Sequence, residues 1–259
     1  MKKLMIGAVC AMMAAATFAE PSVKITKAYQ KVPGSGIVDY TYTVGGFTTG
    51  QCYDLLIEVG AEGCAGTVVL TNLNVATGTA TKSIDVKTLL GKAYPNVTLF
   101  AELKEVSAVQ LWANGPFWAK SNLGTSEVAG HPEYGALYKF DDAGAAVKSL
   151  LGEEWRVPSR DDFAKLVNSS YCKKTWDSNR KGYTFTGVTT GYTDKSIFLP
   201  TAGWSTGGAR TYAGYGAVYW TSDVDGSDAT KACDLYFYDS DARVSADARS
   251  NSASVRAVR

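Results

Sequence analysis

Hydrophobic and polar residues alternate through much of the first hundred positions of the chain. Six segments are rich in β-branched and aromatic residues, and turn-forming pairs such as Pro33-Gly34 and Pro95-Asn96 punctuate this region. The segments are SVKITKAY (22–29), GIVDYTYTV (36–44), YDLLIEV (53–59), TVVLT (67–71), KSIDV (82–86) and NVTLFAEL (96–103). Short strands at this spacing predict a β-sandwich of immunoglobulin-like size over residues 20–105. We expect no functional site within it.

From about residue 106 the pattern predicts helices first and an irregular β region afterwards. One helix is predicted over residues 141–151, DDAGAAVKSLL. The other is predicted to begin after Ser159, a good N-cap, with Asp162 three positions later completing a start that resembles a capping box. Short strands and glycine turns then return. Residues 106–259 therefore favour an α+β domain over alternating β-α units.

The segment ACDLYFYDSDAR (232–243) has two unlike faces if it forms a strand. One face is apolar and consists of Cys233, Leu235 and Phe237. The other is aromatic and acidic and consists of Asp234, Tyr236 and Tyr238. Around it, residues 221–254 are rich in Asp, Ser and Ala, with Tyr at intervals. Such a mixture is typical of adaptable binding surfaces, because Tyr gives rigid contact area while Ser, Asn and Asp give flexible hydrogen bonds.

We therefore expect a ligand-binding surface in the last fifty residues of the chain. Its predicted residues are Tyr212, Tyr215, Asp223, Asp225, Asp234, Tyr236, Tyr238, Asp241, Arg243 and Asn251. The expected partner is a protein or glycan on a cell, phage or matrix surface. The segment DVDGSD (223–228) resembles the start of a calcium loop but lacks its downstream bidentate Glu. We interpret it as an ordinary Asp/Gly turn, and predict no metal and no cofactor.

The N-terminal sequence MKKLMIGAVCAMMAAATFAE has the order of a secretory signal peptide: lysines, a short apolar run, then small residues. We predict a signal peptide over residues 1–19. The mature protein is expected to be secreted, periplasmic or at the cell surface. No later segment is apolar enough to predict a membrane span. Basic and acidic residues number 26 and 25 without a basic cluster, so nucleic acid is not an expected partner.

Four cysteines follow the predicted signal peptide: Cys52, Cys64, Cys172 and Cys233. An even number in an exported chain predicts disulfides, and the division of the four between the two halves favours Cys52–Cys64 and Cys172–Cys233. Free buried thiols are the alternative, particularly for the second pair. No CxxC occurs, so neither a zinc site nor a redox motif is indicated.

Eight motifs follow one another in the second half of the chain. They are VQLWANGPFWAKSNLG (109–124), PEYGALYKF (132–140), EWRVPSRDDFAKL (154–166), KGYTFTG (181–187), SIFLPTAGW (196–204), GYGAVYWTS (214–222), CDLYFYD (233–239) and SASVRAVR (252–259). In this order and spacing they closely resemble the Fibrobacter succinogenes major paralogous domain family. The resemblance implies a C-type-lectin-like fold over 106–259, related to formylglycine-generating enzymes and to variable proteins of diversity-generating retroelements. In those variable proteins the diversified residues lie in the same C-terminal stretch.

The sequence lacks the residue patterns that the catalytic relatives of this fold use. Formylglycine-generating enzymes place a close cysteine pair near the end of the domain, and this chain has no such pair. Related sulfoxide synthases use a histidine cluster, whereas the only histidine of this chain is His131. A Ser-His-Asp triad would depend on His131, and no GxSxG motif is present. We therefore predict an exported, non-catalytic ligand-binding protein, an adhesin or recognition protein. The alternatives are an oxidoreductase of the formylglycine-generating type and a structural envelope component that assembles with its own copies.

Overall fold

The structure, a computed structural model, describes residues 21–259 except residues 31, 33, 48, 73 and 74. The predicted signal peptide lies outside the described residues. The described chain is mostly β, with 48% strand and 12% helix in several antiparallel sheets. It divides into two units. Unit 1 comprises the described residues from 21 to 47 with Cys52–Val106, and unit 2 comprises Thr49–Gln51 with Ser107–Arg259.

Unit 1 is built from one three-stranded sheet and the first three strands of a four-stranded sheet, and side chains from both sheets share one core. Its elements are β1 (Ser22–Gln30), β2 (Ile37–Gly45), β3 (Gln51–Ala61), β4 (Val68–Asn72), β5 (Gly78–Asp85), α1 (Val86–Leu90) and the first part of β6 (Val97–Gln110). The strand orders are β1-β2-β5 and β4-β3-β6. Alternate residues of β2, such as Tyr40 and Tyr42, are buried against Leu55 and Ile57 of β3. The alternation in the sequence therefore produces the two-faced sheets directly.

All six strands predicted in this region are present, and one short helix was not predicted. The segment KSIDV was expected to be entirely strand, but β5 ends at Asp85. The Asp85 carboxylate accepts hydrogen bonds from the backbone N–H groups of Lys87 and Thr88, at 3.0 and 3.2 Å. This N-cap starts α1 one residue after the strand ends, because Asp satisfies two otherwise unpaired donors of the first turn.

Unit 2 contains two longer helices and four small groups of strands. Its elements are β7 (Phe117–Ala119), a 3₁₀ turn (Pro132–Tyr134), β8 (Tyr138–Lys139), α2 (Phe140–Leu151), α3 (Arg160–Val167), β9 (Cys172–Asp177), β10 (Gly182–Gly187), β11 (Ser196–Pro200), β12 (Gly216–Val224), β13 (Lys231–Tyr238), β14 (Asp241–Ala248) and β15 (Ser252–Ala253). The sheets have the orders β11-β10-β9, β12-β13-β14 and β15-β8, and β7 pairs with the end of β6.

The two predicted helices of unit 2 are confirmed. Ser159 Oγ accepts from the Asp162 N–H, and the Asp162 carboxylate accepts from the Ser159 N–H, which completes the capping box. Phe163 then lies in a core with Trp118 and Phe237. None of the helices in the described part of the chain combines the length and apolar character needed to cross a bilayer.

A buried polar network ties the C-terminal segment to the rest of unit 2. The Arg256 guanidinium is 1% exposed and donates to Asn122 Oδ1, at 2.7 and 3.0 Å, and to two backbone carbonyls. Asn122 in turn donates to the carbonyl of Tyr134 and to the hydroxyl of Tyr219, both at 3.0 Å. Burial lowers the pKa of Arg256 to about 10, so the side chain stays charged at neutral pH.

Neither predicted disulfide is formed in the structure, where Cys52, Cys64, Cys172 and Cys233 are thiols. Cys172 and Cys233 are both buried but belong to different sheets, since β9 pairs with β10 and β13 pairs with β12 and β14. Burial raises the pKa of Cys172 to about 12, which makes it a poor nucleophile. In unit 1, Cys64 has the hydroxyl of Tyr94 as a hydrogen-bond partner. The alternative of buried thiols outside a disulfide therefore holds for Cys172 and Cys233.

Candidate functional site

The sheet β12-β13-β14 has the two faces that the alternation predicts. Leu235 and Phe237 are fully buried in the core of unit 2. On the opposite face of β13, exposure increases along the strand: Asp234 is 1% exposed, Tyr236 is half-buried and Tyr238 is 37% exposed. One end of this face is therefore covered, and the other is open to solvent.

Aromatic rings gather at the open end. We call this surface the tyrosine face and define it by Trp204, Tyr212, Tyr236, Tyr238, Asp241 and Arg243. The Tyr212 ring stacks on Trp204 with centroids 4.4 Å apart, while Tyr236 lies 5.9 Å from both Trp204 and Tyr238. The Arg243 guanidinium lies 5.2 Å from the Tyr236 centroid and pairs with the Asp241 carboxylate. The rings are thus held in place by one another and by a neighbouring cation.

The backbone around this stack is unusual. Gly203 has φ +69°, and a Cβ there would lie 2.1 Å from the carbonyl oxygen of Thr211. Only glycine permits this close approach, which lets Trp204 and Thr211 exchange backbone hydrogen bonds of 3.1 and 2.8 Å. Tyr212 follows with φ 58°, a left-handed conformation that is rare for aromatic residues and costs about 1 kcal/mol. Its ring is nevertheless exposed, so packing in the core does not account for this conformation.

Asp234 was predicted to belong to the contact surface, and that prediction is wrong. It is opposite Trp220 in the β12-β13 pairing, and Trp220 is covered by Phe140 of α2, with centroids 5.8 Å apart. The buried Asp234 Oδ1 has no hydrogen-bond partner among the described residues. Burial, and secondly the Asp247 carboxylate, raise the pKa of Asp234 to about 7, although Arg243 acts in the opposite direction.

Three other predicted residues lie away from the tyrosine face. Asp223 accepts a 2.7 Å hydrogen bond from the Arg160 N–H at the start of α3, and Asp225 accepts from the Ser227 N–H within a turn. Both lie at the end of the sheet opposite Tyr238, because β12 runs from Gly216, beside Tyr238, to Val224. Asn251 donates to the Asp247 carboxylate at 3.0 Å. These side chains support turns and are not gathered into a shared site.

Tyr215, the remaining predicted residue, belongs to a separate cleft of about 740 Å³. We define the cleft by His131, Tyr134, Trp176, Lys181, Tyr215 and Asp239, which line it. Tyr215 is 79% exposed, and the His131 ring stacks on the buried Tyr134 ring with centroids 4.6 Å apart. From the sequence, His131 was considered only as a catalytic residue and was not placed in a cleft. The available signal for an ordered turn was the position of His131, directly before Pro132 and three residues before Tyr134.

Arg210 holds two of the loops near the cleft. Its side chain donates to both carboxylate oxygens of Glu127, at 2.6 and 2.8 Å, and to the carbonyls of Gly135 and Ala202. Arg210 is the main reason that the pKa of Glu127 lies below its usual range. The bidentate pair therefore fixes the segment that carries His131 and Tyr134 against the segment that leads to Tyr215.

Two of the six tryptophans contribute to these surfaces. The other four, Trp112, Trp118, Trp155 and Trp220, are buried. Trp204 and Trp176 are only partly buried and have their rings at the tyrosine face and the cleft, respectively. No group of three His, Cys, Asp or Glu side chains that could hold a metal ion occurs among the described residues. Comparison with family models, curated proteins and solved structures gave no match.

Proposed function

We propose that the protein is an exported, non-catalytic recognition protein that binds a surface protein or glycan through the tyrosine face. The observation that carries the proposal is the cluster of mutually packed rings, with Tyr212 and Tyr238 exposed and Arg243 beside them. An ordinary solvent-facing strand has no need of such a cluster. Tyr, Trp and Arg are the residues that contribute most to binding energy at protein interfaces.

The packing of the rings supports a binding role on energetic grounds. A side chain that becomes ordered only on binding loses about 0.5–1.5 kcal/mol of conformational free energy. Trp204 already contacts both Tyr212 and Tyr236, and the ion pair with Asp241 holds Arg243. Much of this ordering cost is therefore met during folding, as in binding sites that use tyrosine as a rigid contact residue.

The proposal also covers the fold of each unit and the export of the protein. We propose that unit 1 is an immunoglobulin-like spacer and that unit 2 is a C-type-lectin-like domain. Two sheets around one core support the first, and the order of two helices followed by irregular β-structure supports the second. Export is supported by the signal-peptide pattern of the N-terminal sequence.

The test is a binding comparison between matched variants on an array of glycans and matrix proteins. Tyr238→Ala removes an exposed ring, and Tyr212→Asn removes another while keeping a residue that tolerates positive φ. We expect the double variant to lose about tenfold or more in affinity, or ~1.4 kcal/mol. Tyr29→Ala, which removes an exposed tyrosine of unit 1, is the control and should bind like the wild type.

Melting temperature separates binding from folding in this experiment. The double variant should melt within a few degrees of the wild type, because both rings lie outside the buried core. Unchanged array binding by the double variant would contradict the proposal. So would unfolding of both single variants, because the tyrosines would then serve the fold.

A further inference from the structure

We propose that the cleft of unit 2 binds a neutral oligosaccharide, independently of the tyrosine face. The cleft encloses about 740 Å³, and no residue of the tyrosine face lines it. Its volume falls in the range of small-ligand sites, about 300–1,000 Å³, which is enough for a short oligosaccharide. The exposure of Tyr215 and of half of the His131 side chain leaves it open on one side, so a longer chain can extend out of it.

Flat rings come from three separate parts of the chain to line this cleft. His131 stacks on Tyr134 at an interplanar angle of 6°, Trp176 contributes from the end of β9, and Tyr215 contributes from the loop before β12. A sugar ring presents C–H groups on its faces and hydroxyls around its edge. Aromatic rings with polar edges complement such a ligand, since they offer apolar area and leave the hydroxyls free to form hydrogen bonds.

The residues that line the cleft are held in position before any ligand binds. The His131 Nδ1 lies 2.9 Å from the Glu133 carboxylate, and the Trp176 ring meets Tyr183 edge-on at 5.1 Å. The Gly214 N–H donates to the Thr201 carbonyl at 2.8 Å, which fixes the backbone beside Tyr215. A preformed site avoids the ordering cost that a weakly interacting neutral ligand would otherwise have to offset.

The polar side chains of the cleft match a ligand without net charge. Lys181 supplies donors, Asp239 supplies acceptors and Ser178 supplies both, so the two permanent charges balance. An anionic ligand would favour an excess of cations, and a cationic ligand would favour an excess of carboxylates. Hydroxyl groups, which donate and accept, use both kinds of partner at once.

The test is titration of the full chain with neutral hexasaccharides, with binding measured by calorimetry and by the change in tryptophan emission. The probes are the β-1,4-linked glucose, mannose and xylose oligomers and the α-1,4-linked glucose oligomer, with an oligogalacturonate as the acidic comparison. We expect at least one neutral probe to bind with a Kd of about 1 mM or below, and Tyr215→Ala to weaken it about tenfold. Trp176→Ala should weaken binding similarly and abolish the change in emission.

The control variant is Tyr29→Ala, an exposed tyrosine of unit 1 that lies outside both the cleft and the tyrosine face, and it should bind the same probe unchanged. Because Tyr215 is 79% exposed, its replacement tests the cleft even if Trp176→Ala fails to fold. The inference is overturned if no neutral probe binds, if only the oligogalacturonate binds, or if Tyr215→Ala binds like the wild type. None of these results bears on the tyrosine face, whose own variants decide the proposed function.

Discussion

The two units differ in where they place polar side chains. In unit 1 the polar residues of β2 and β5 form pairs on the exposed face, such as Thr41 with Thr81 at 3.0 Å and Thr43 with Thr79 at 2.9 Å. Among the described residues, and with tyrosine and cysteine counted as core residues, every buried polar or charged residue except Asp54 belongs to unit 2. Regular sheets satisfy their own backbone groups, whereas irregular loops need side chains such as Arg256 and Arg210 to do so. The loops fixed in this way carry the candidate sites.

Replacing Arg256 should have the largest effect on stability, because it removes a donor from the buried polar network of unit 2. Arg256→Met keeps the apolar stem but leaves Asn122 Oδ1 and two backbone carbonyls without this donor. We expect a loss of about 5 kcal/mol in the free energy of unfolding, since each buried unsatisfied acceptor costs about 1–3 kcal/mol. Urea unfolding followed by tryptophan emission measures this effect in unit 2, which holds all six tryptophans.

The matched control is Arg243→Met, the same change at a half-exposed arginine on the tyrosine face. Its expected cost is below about 1 kcal/mol, because exposed ion pairs contribute little. If the two variants unfold at the same urea concentration, the buried hydrogen bonds of Arg256 do not stabilise unit 2 more than the exposed ion pair of Arg243 does.

Asp234→Asn should have an intermediate effect that depends on pH. Burial, followed by the Asp247 carboxylate, raises the pKa of Asp234 to about 7, whereas an unfolded Asp ionises near pH 4. Between these values the folded state binds the proton that the unfolded state has lost, so the stability of the wild type falls as pH rises. The variant should therefore be more stable than the wild type by about 4 kcal/mol above pH 7, since each pKa unit corresponds to about 1.4 kcal/mol.

This difference should shrink toward pH 4, where Asp234 is neutral in both states. The measurement is the free energy of unfolding of both proteins across that pH interval. A difference that does not change with pH would contradict the assignment of Asp234 as a buried, proton-binding carboxyl. Asp225→Asn is the control: hydrogen bonds from Ser227 lower the pKa of Asp225, so this variant should be less stable than the wild type at neutral pH, not more stable.

The smallest effect is expected from the outer face of unit 1. Thr41→Val together with Thr81→Val removes one exposed cross-strand hydrogen bond but keeps two β-branched residues. We expect a change of less than about 0.5 kcal/mol in either direction, as is usual for surface substitutions. Calorimetric unfolding measures it. A loss as large as that of Arg256→Met would remove the contrast between the two units.

Local patterns in the sequence predicted the parts of the fold that depend on neighbouring residues. Alternation identified all six strands of unit 1, and Ser159 with Asp162 identified the start of α3. The missed helix α1 has five residues, too few for a helical period to emerge, and only its Asp85 cap marked it. The division of β13 into two faces was also predicted correctly.

The burial of individual side chains and their grouping into a site could not be predicted, because both depend on residues that are distant in sequence. Alternation placed Asp234 on the same face as Tyr236, but Phe140 of α2 helps to cover that end of the face from nearly a hundred positions away. The cleft likewise joins His131, Trp176 and Tyr215 from separate segments. For Trp176 and Trp204 the sequence shows a large aromatic residue, and only the packing of unit 2 decides how much of each ring reaches solvent.

Because Arg256 lies close to the C-terminus, the two units are completed at different stages of synthesis. Unit 1 uses no residue beyond Val106, so all its strands exist when less than half of the chain has been synthesised. Unit 2 closes only when Arg256 reaches Asn122 and Arg259 pairs with Phe117, contacts that span more than 130 positions. All strands of unit 1 are therefore synthesised well before residues 252–259, which complete these contacts of unit 2.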